Sequence, residues 1–491
     1  MGDLCTDSRP IDLLIVGGGP AGMSAASTAL AGGLHVALLD AGAALGGQFW
    51  RHPAPGAVDA GGHLHHDLST YRALLAHLTA NERAGRLQVL LGHHVWTAAA
   101  TPTGFAVHAL DRSGPVGAER AVTLAATQML IATGAFDRQL PFPGWDLPGV
   151  FTAGGLQSLL KGHGVTAGSR VVVAGTGPFL LPVATGLADS GARVVEICEA
   201  NSPTRWLRHA RTLLRSPAKG AEAVEYAAQL VRHRIPVRTS TAVVAAHGVD
   251  RLDSVTIAGL DSSGRVRPGS ERRVEVDALG VGWGFVPQLD LAITLGALLE
   301  DSDDGNQVVA VDAGQRTSVP ALLVAGELSG IGGAALAVRE GQLAGESALT
   351  AAGRAAATSP ARLAQVRRDV ARGRAFARAM RLAHPVPPAW TEWLTDDTLA
   401  CRCEEVPVSR VRAAVASGAS DARQVKQLTR TGMGWCQGRM CGYAAACLAG
   451  EVAPSDGRAS RGSLPAAYPV VAATERLVAT PVPLGSLARE A

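Results

Sequence analysis

Four cysteines stand in two short pairs toward the C-terminal end of the chain, Cys401-x-Cys403 and Cys436-x4-Cys441. Two thiolate pairs carried on two loops form the donor set of a [2Fe–2S] cluster, and a tetrahedral zinc ion accepts the same four sulfurs. The Cys-x-Cys pair is tighter than the spacing usual at zinc. The second pair lies in TRTGMGWCQGRMCG, whose glycines let backbone N–H groups approach cluster sulfurs and stabilise an added electron. Arg402 and Arg439 accompany these ligands, with a charge opposite to that of a tetrathiolate centre; the alternative for both is solvated surface. The other cysteines read differently. Cys447 in AAACLAG and Cys198 in an apolar strand pattern are packing residues, and Cys5 lies in the N-terminal segment. His63, His65 and His66 share a glycine-rich loop without cysteines and read as ordinary loop residues.

A second chemical pattern opens the chain. Gly17-Gly18-Gly19-Pro20-Ala21-Gly22 satisfies G-x-G-x-x-G directly after the apolar run Ile11–Val16 and before an Ala-rich helical stretch. The three glycines serve separate ends, namely a tight turn, close approach of backbone N–H groups to a pyrophosphate, and close helix–strand packing. The pyrophosphate then meets the positive end of the helix dipole. Asp40 ends the next strand, where an acid binds a ribose hydroxyl.

The elements that hold these residues follow from periodicity. Strand, glycine turn, helix and strand over 11–40 recur from Arg170, as RVVVAGTGP, an apolar helix and RVVEICEA, so one nucleotide-binding module is inserted in another. The second turn has Leu180 where the third glycine belongs. That side chain is expected to push helix and strand apart and crowd a pyrophosphate, while Glu199 keeps the position of a ribose-binding acid. The boundaries expected are 1–145 for the first part of the outer module, 146–286 for the inserted one and 287–352 for the return. A helical linker follows over 353–395, ending in the Pro-rich break HPVPP, then the cysteine domain at 396–452 and a tail at 453–491.

Composition narrows the function classes. Across 491 residues, 47% are hydrophobic and 18% charged, the balance of a multidomain globular chain. A net charge of +3 gives no reason to expect nucleic acid or an anionic membrane as partner. The N-terminus lacks a basic region followed by an apolar run, and no apolar run reaches about 20 residues. With seven cysteines, five of them crowded between 401 and 447, a reducing cytoplasm is the expected location.

Three further segments turn the first module toward FAD: Gly46-Gly47-Gln48 after the second strand, Ala132-Thr133-Gly134 closing an apolar strand, and TSVPALLVAGE, ending in Gly326-Glu327. With them residues 11–350 resemble the two-dinucleotide-binding-domain flavoproteins, the fold of thioredoxin and glutathione reductases. The resemblance implies an α/β fold of nested Rossmann-like modules. It also implies that the acid after Gly326 binds the flavin ribityl chain. The family has Asp there, and the longer Glu327 reaches the same hydroxyl with a backbone adjustment. No Cys-x-x-Cys occurs anywhere, so disulfide reduction is not expected. CRCEEV…GMGWCQGRMCG, within 396–450, is similar to the bacterioferritin-associated-ferredoxin-like [2Fe–2S] domain, a small helical unit.

The order of modules, with LPGVFTAGGLQSLLK, VVVAGTGPFLLPVA, VAGELSGIGGAALAVREGQLAG and the terminal PVPLGSLA, resembles the large subunits of multi-subunit amino- and imino-acid dehydrogenases. These include opine oxidases, the beta subunit of hydrogen cyanide synthase, hydroxyproline and proline dehydrogenases, and part of sarcosine oxidase alpha. The resemblance implies a relay subunit whose substrate chemistry sits on a partner flavoprotein subunit, with a small ferredoxin-like subunit beside them. FMN at a subunit interface and NAD(P) at the second module are further cofactors it allows. A stand-alone NAD(P)H:acceptor oxidoreductase is the alternative.

Overall fold

A computed structural model describes residues 10–53, 64–65, 67–115, 117–450, 478–483 and 485; Cys5, His63, His66 and most of the tail lie outside them. The run Ile11–Val16 forms strand β1, and Pro20 opens helix α1 (Pro20–Ala31) immediately after the glycine turn. β1 pairs in parallel with β2 (Val36–Asp40), which pairs with β3 (Leu87–Leu91). On its other side β1 meets the second half of β6 (Arg120–Ile131), and β6 in turn carries β19 (Leu322–Val324). The first half of β6 runs antiparallel to β5 (Gly104–Asp111), and β5 to β4 (His93–Thr101). Only Leu322–Val324 of the apolar TSVPALLVAGE is strand.

Helices α1, α2 (Leu68–Arg83) and α8 (Ala334–Ala351) cover one face of this sheet. α1 and α8 are built of small residues and approach closely. A Cβ at Gly341 would stand 2.1 Å from Ala21 O. The other face packs on β4, β5 and α7 (Asp290–Thr294). A hairpin, β17 (Leu299–Asp301) and β18 (Gln307–Val309), leads back toward β19.

The chain leaves this module along β7 (Ala135–Asp137) and returns along β16 (Phe285–Pro287), and the two crossing segments pair antiparallel. Between them lies a second parallel sheet: β8 (Val150–Thr152), β15 (Ala278–Gly282), β9 (Arg170–Gly175), β10 (Arg193–Glu199) and β11 (Val237–Thr239). Helices α3 (Ala153–His163) and α4 (Leu180–Asp189) cover one face. A small sheet of β12 (Thr241–Gly248), β13 (Leu252–Gly259) and β14 (Arg272–Glu275) packs on the other. Helices α5 (Ala210–Leu214) and α6 (Pro217–Arg232) complete the module.

After α9 (Pro360–Ala383), which packs on α8 through Val366 and Val370, the chain crosses the second module. There Trp393 lies 5.9 Å from Trp283, and Trp393 Nε1 donates to Gly264 O. The segment expected to be a linker is therefore part of a core. The cysteine domain pairs β20 (Leu399–Cys401) with β21 (Val406–Pro407) beside α10 (Val408–Ala416), α11 (Ala422–Thr429) and α12 (Gly442–Ala449). Its apolar residues join the core of the second module, and Trp145 Nε1 donates to Leu399 O at 2.7 Å. The apolar area buried across this shared core fixes the domain in place.

Candidate functional site

The first glycine turn is shaped by what its missing side chains would strike. A Cβ at Gly22 would lie 1.9 Å from Gly17 O, and one at Gly17 would lie 2.3 Å from Ala132 O. Those two glycines serve packing. Gly19 differs: the nearest atom to its Cβ position is Gly47 Cα at 3.9 Å, so its open side faces the cavity. Gly19 also caps α1 with no side chain bonded to the first-turn amides and no acid there. Those amides form a donor set for an anion. Gly18 N–H donates to Asp40 Oδ2 at 2.6 Å, and Gly42 N–H to Asp40 Oδ1 at 2.6 Å. Asp40 thus ties the glycine turn to the end of β2 while still facing the cavity, where each oxygen keeps a lone pair.

One cavity of about 2380 Å³ runs past both modules. Of the residues singled out for FAD, Gly17, Gly19, Pro20, Ala21, Asp40, Gly47, Gln48, Ala132, Thr133, Gly134, Gly326 and Glu327 line it, whereas Gly18 and Gly22 stand behind the wall. An open glycine cradle, bare helix amides and an acid at the strand end are what a dinucleotide requires, and the residues present fit FAD. Once bound, FAD supplies two-electron chemistry.

Glu327 stands at the cavity wall. Its carboxylate is turned onto the start of α8, accepting from Gly332 N–H and Gly333 N–H at 2.9 Å each. Burial raises this carboxyl above its ordinary value, against those two amides and Arg381. Gly326 beside it has φ +84°, a conformation that favours glycine, and its N–H donates to Glu340 Oε2 at 3.0 Å. Burial pushes the Glu340 carboxyl up to about 7, although Arg374 Nη2 pairs with Oε1 at 2.9 Å.

Glu340 escaped the sequence reading. Its signal was a glutamate on the same helical face as Leu336, Ala337, Leu343 and Ala344. Lys161 was missed too. It is only 5% exposed, lines the cavity and donates to Phe49 O at 3.1 Å, and burial lowers its amine to about 8. The histidine-bearing loop also differs from expectation, since His65 is buried and stacks on His52 at 4.4 Å.

In the second module the turn is altered rather than forced apart. Leu180 is buried, and Gly282 on β15 makes room for it: a Cβ there would lie 3.3 Å from Leu180 Cδ2. The cost falls on the helix start. α4 begins at Leu180, two residues later in the motif than α1, and Leu180 N–H reaches only Gly177 O. Glu199 accepts from Gly177 N–H at 2.7 Å, Thr176 Oγ1 at 3.0 Å and Asn201 N–H at 2.9 Å. Burial works to raise its carboxyl, but His384 and the amides of Asn201 and Gly177 outweigh it and hold it below the usual range.

The four cysteines come together as two pairs. Cys441 Sγ donates to Cys401 Sγ at 3.6 Å, and Cys403 contacts Cys436. The Cys441 thiol holds Cys401 down to about 6, and the same contact together with burial pushes Cys441 up. A 3.6 Å separation is close to the roughly 3.7 Å sulfur–sulfur edge of a tetrahedron with metal–sulfur bonds of about 2.3 Å. Among the described residues no three His, Cys, Asp or Glu groups converge as a single ion would need. Two thiolate pairs on two loops supply the four sulfurs that a [2Fe–2S] cluster takes. Gly434 brings the loops together, with its Cβ position 2.3 Å from Cys403 Cβ. Arg402 is no idle surface charge, since its guanidinium stacks over Trp145 at 5.2 Å.

Fold and site together define an FAD-dependent oxidoreductase with an attached [2Fe–2S] domain. The chain belongs to the pyridine nucleotide-disulphide oxidoreductase family, whose model matches residues 11–341, and the BFD-like [2Fe-2S] binding domain matches 399–449. It also belongs with hydrogen cyanide synthase subunit HcnB of Pseudomonas protegens, 32% identical over 88% of this chain and 90% of that one. An opine oxidase subunit of Agrobacterium tumefaciens is 34% identical over 88% of this chain and 84% of the relative. Among solved structures, L-proline dehydrogenase from P. horikoshii shares the fold, with 21% identity, a TM-score of 0.63, and coverage of 98% of this chain and 79% of that one. No helix among the described residues is long and apolar enough to cross a membrane.

Proposed function

We propose that this chain is the electron-relay subunit of a multi-subunit FAD-dependent dehydrogenase acting on an amino or imino acid of the opine, hydroxyproline, proline or glycine type. The observation that carries it is the shared core. The cysteine domain is packed into the second module by Trp145, Trp283, Trp390 and Trp393, so the flavin cavity and the cluster loops keep one relative placement. A two-electron centre and a one-electron centre held in this way convert electron pairs into single electrons. Relatives named as subunits of hydrogen cyanide synthase and opine oxidase support the assembly with other chains.

Two partners complete the reading: a flavoprotein subunit that oxidises the substrate, with FMN at the interface, and a small ferredoxin-like subunit that takes electrons from the cluster. The second is supported by the outward edge of the cluster site. Cys403 is exposed, and Trp435, next to Cys436, is 74% exposed. The cytoplasm is the compartment that suits such thiolate ligands. The second module takes no part in NAD(P)H oxidation on this reading, because Leu180 replaces the third glycine, α4 starts two residues later in the motif, and His384 stands 3.4 Å from Glu199.

The test is anaerobic reduction of the flavin- and iron-loaded chain. NADH or NADPH is expected to leave the flavin oxidised. Substrate is expected to bleach flavin and cluster only once the oxidising subunit is added. Rapid bleaching by NADH alone overturns the relay reading in favour of a stand-alone oxidoreductase.

A further inference from the structure

Arg439 lies within the second cysteine pair, three residues after Cys436 and two before Cys441. Its guanidinium nevertheless turns toward the flavoprotein module. Nη2 donates to Asp290 Oδ2 at 3.3 Å and to Ala479 O at 2.5 Å, while Nη1 donates to Cys436 O at 3.4 Å. The pair is largely shielded, with 22% of the Arg439 side chain and 13% of Asp290 exposed.

Asp290 opens α7, and the peptide before that helix is tied to the flavin side. Gln288 N–H donates to Gly134 O at 2.9 Å, and Thr133 Oγ1 donates to Gln288 O at 3.1 Å. Arg439, Asp290, Thr133 and Gly134 all face the same cavity. A continuous path of bonded and hydrogen-bonded groups therefore joins the Ala132-Thr133-Gly134 turn to the backbone of Cys436. Its members lie 149 residues apart at the ion pair.

We propose that Arg439, held by Asp290, is the positioning residue that couples the flavin cavity to the [2Fe–2S] cluster. The inference rests on the relay reading above and goes beyond it by assigning the link. The physical case has two parts. The loop from Gly432 to Gly438 is glycine-rich, so an anchor at Arg439 sets how far the cluster stands from the cavity wall. A shielded positive charge beside the ligands also lowers the energy of a cluster that gains negative charge.

In the coupled step one electron leaves the reduced flavin, with a proton released into the cavity, and one cluster iron passes from Fe(III) to Fe(II). A one-electron acceptor, such as a partner cluster, then takes that electron. A second transfer with its proton returns the flavin to the oxidised state. Arg439 is neither oxidised nor reduced, and no bond to it forms or breaks.

The test uses the full chain loaded with flavin and iron, with flash photoreduction of the flavin and optical detection of cluster reduction. Arg439→Gln is expected to keep its iron and flavin, to slow flavin-to-cluster transfer by about tenfold and to shift the cluster potential negative. Arg439→Lys is expected to recover the potential and part of the rate. Asp290→Asn, outside the cysteine domain, is expected to slow the transfer in the same direction, and it decides the matter should Arg439→Gln lose its cluster. Wild-type rate in a fully loaded Arg439→Gln or Asp290→Asn protein overturns the proposal. A wild-type chain showing no flavin-to-cluster transfer sinks the relay reading itself.

Discussion

His384 Nδ1 stands 3.4 Å from Glu199 Oε1, so the segment following α9 closes over the acid of the second glycine module. The other ring nitrogen, Nε2, accepts from Trp206 Nε1 at 3.0 Å, which places the ring proton on Nδ1, facing the carboxylate. Asn201 Nδ2 donates to Pro385 O at 2.9 Å and fastens the same segment. In the first module the matching acid, Asp40, accepts instead from Gly18 and Gly42, and both acids line the one cavity.

The lowered Glu199 carboxyl gives a pH signature. A folded-state value below the ordinary 4.5 means that its stabilisation is complete above that value and is lost as pH falls through the folded one. Thermal unfolding of wild type and Glu199→Gln should therefore differ most near about pH 6 and converge on acidification below about pH 4. A gap unchanged down to that acidity would contradict the assignment.

Glu340 titrates with the opposite sign. Its folded value of about 7 lies above the ordinary 4.5, so the folded state binds the proton more tightly. Stability is lost as pH rises between the two values, by about 3 kcal/mol for a shift of this size. Scanning from pH 5 to about 8, the melting temperature of Glu340→Gln should gain on wild type as pH rises. A constant offset would mean that Arg374 keeps Glu340 ionised throughout.

The two roles of glycine in the first turn separate by mutation. Gly22→Ala drives a Cβ to 1.9 Å from Gly17 O and should lower the melting temperature of the flavin-free chain. Gly19→Ala meets nothing closer than Gly47 Cα at 3.9 Å and should leave that temperature within about 2 °C while weakening flavin binding at least about tenfold. Flavin titration with calorimetry on both variants is the check.

Replacing any of Cys401, Cys403, Cys436 or Cys441 by Ser should remove iron and the cluster absorbance and leave flavin content near wild type. The cavity at the glycine turn takes no side chain from these cysteines. Retention of iron in two of the four single variants would show that the ligands lie elsewhere. Cys447→Ser is the control, with full iron content.

Much of the site was legible because it is local. A glycine turn between β1 and α1, with Asp40 at the next strand end, is specified by some thirty consecutive residues, and the geometry of such a turn depends on little else. The cysteine pairs were equally readable, because thiolate spacing within one loop restricts what can be bound. Leu180 was correctly seen as a disturbance, but its effect was not: the space it needs comes from Gly282, about a hundred residues on, and the loss appears as a shortened helix start. Glu327 was read from its neighbours in sequence, whereas the nearest free donors are the amides of Gly332 and Gly333, exposed by the way the chain turns into α8.

The sequence by itself determined the two redox sites, since each is a short-range pattern of backbone freedom or ligand spacing. Tertiary structure alone decided how they are joined. His384 reaches Glu199 and Arg439 reaches Asp290 only because the cysteine domain and its leading segment pack into the core of the second module. Contacts made across 149 and 185 residues leave no periodicity to read; they follow from the burial of Trp145, Trp283, Trp390 and Trp393, which brings the distant segments together.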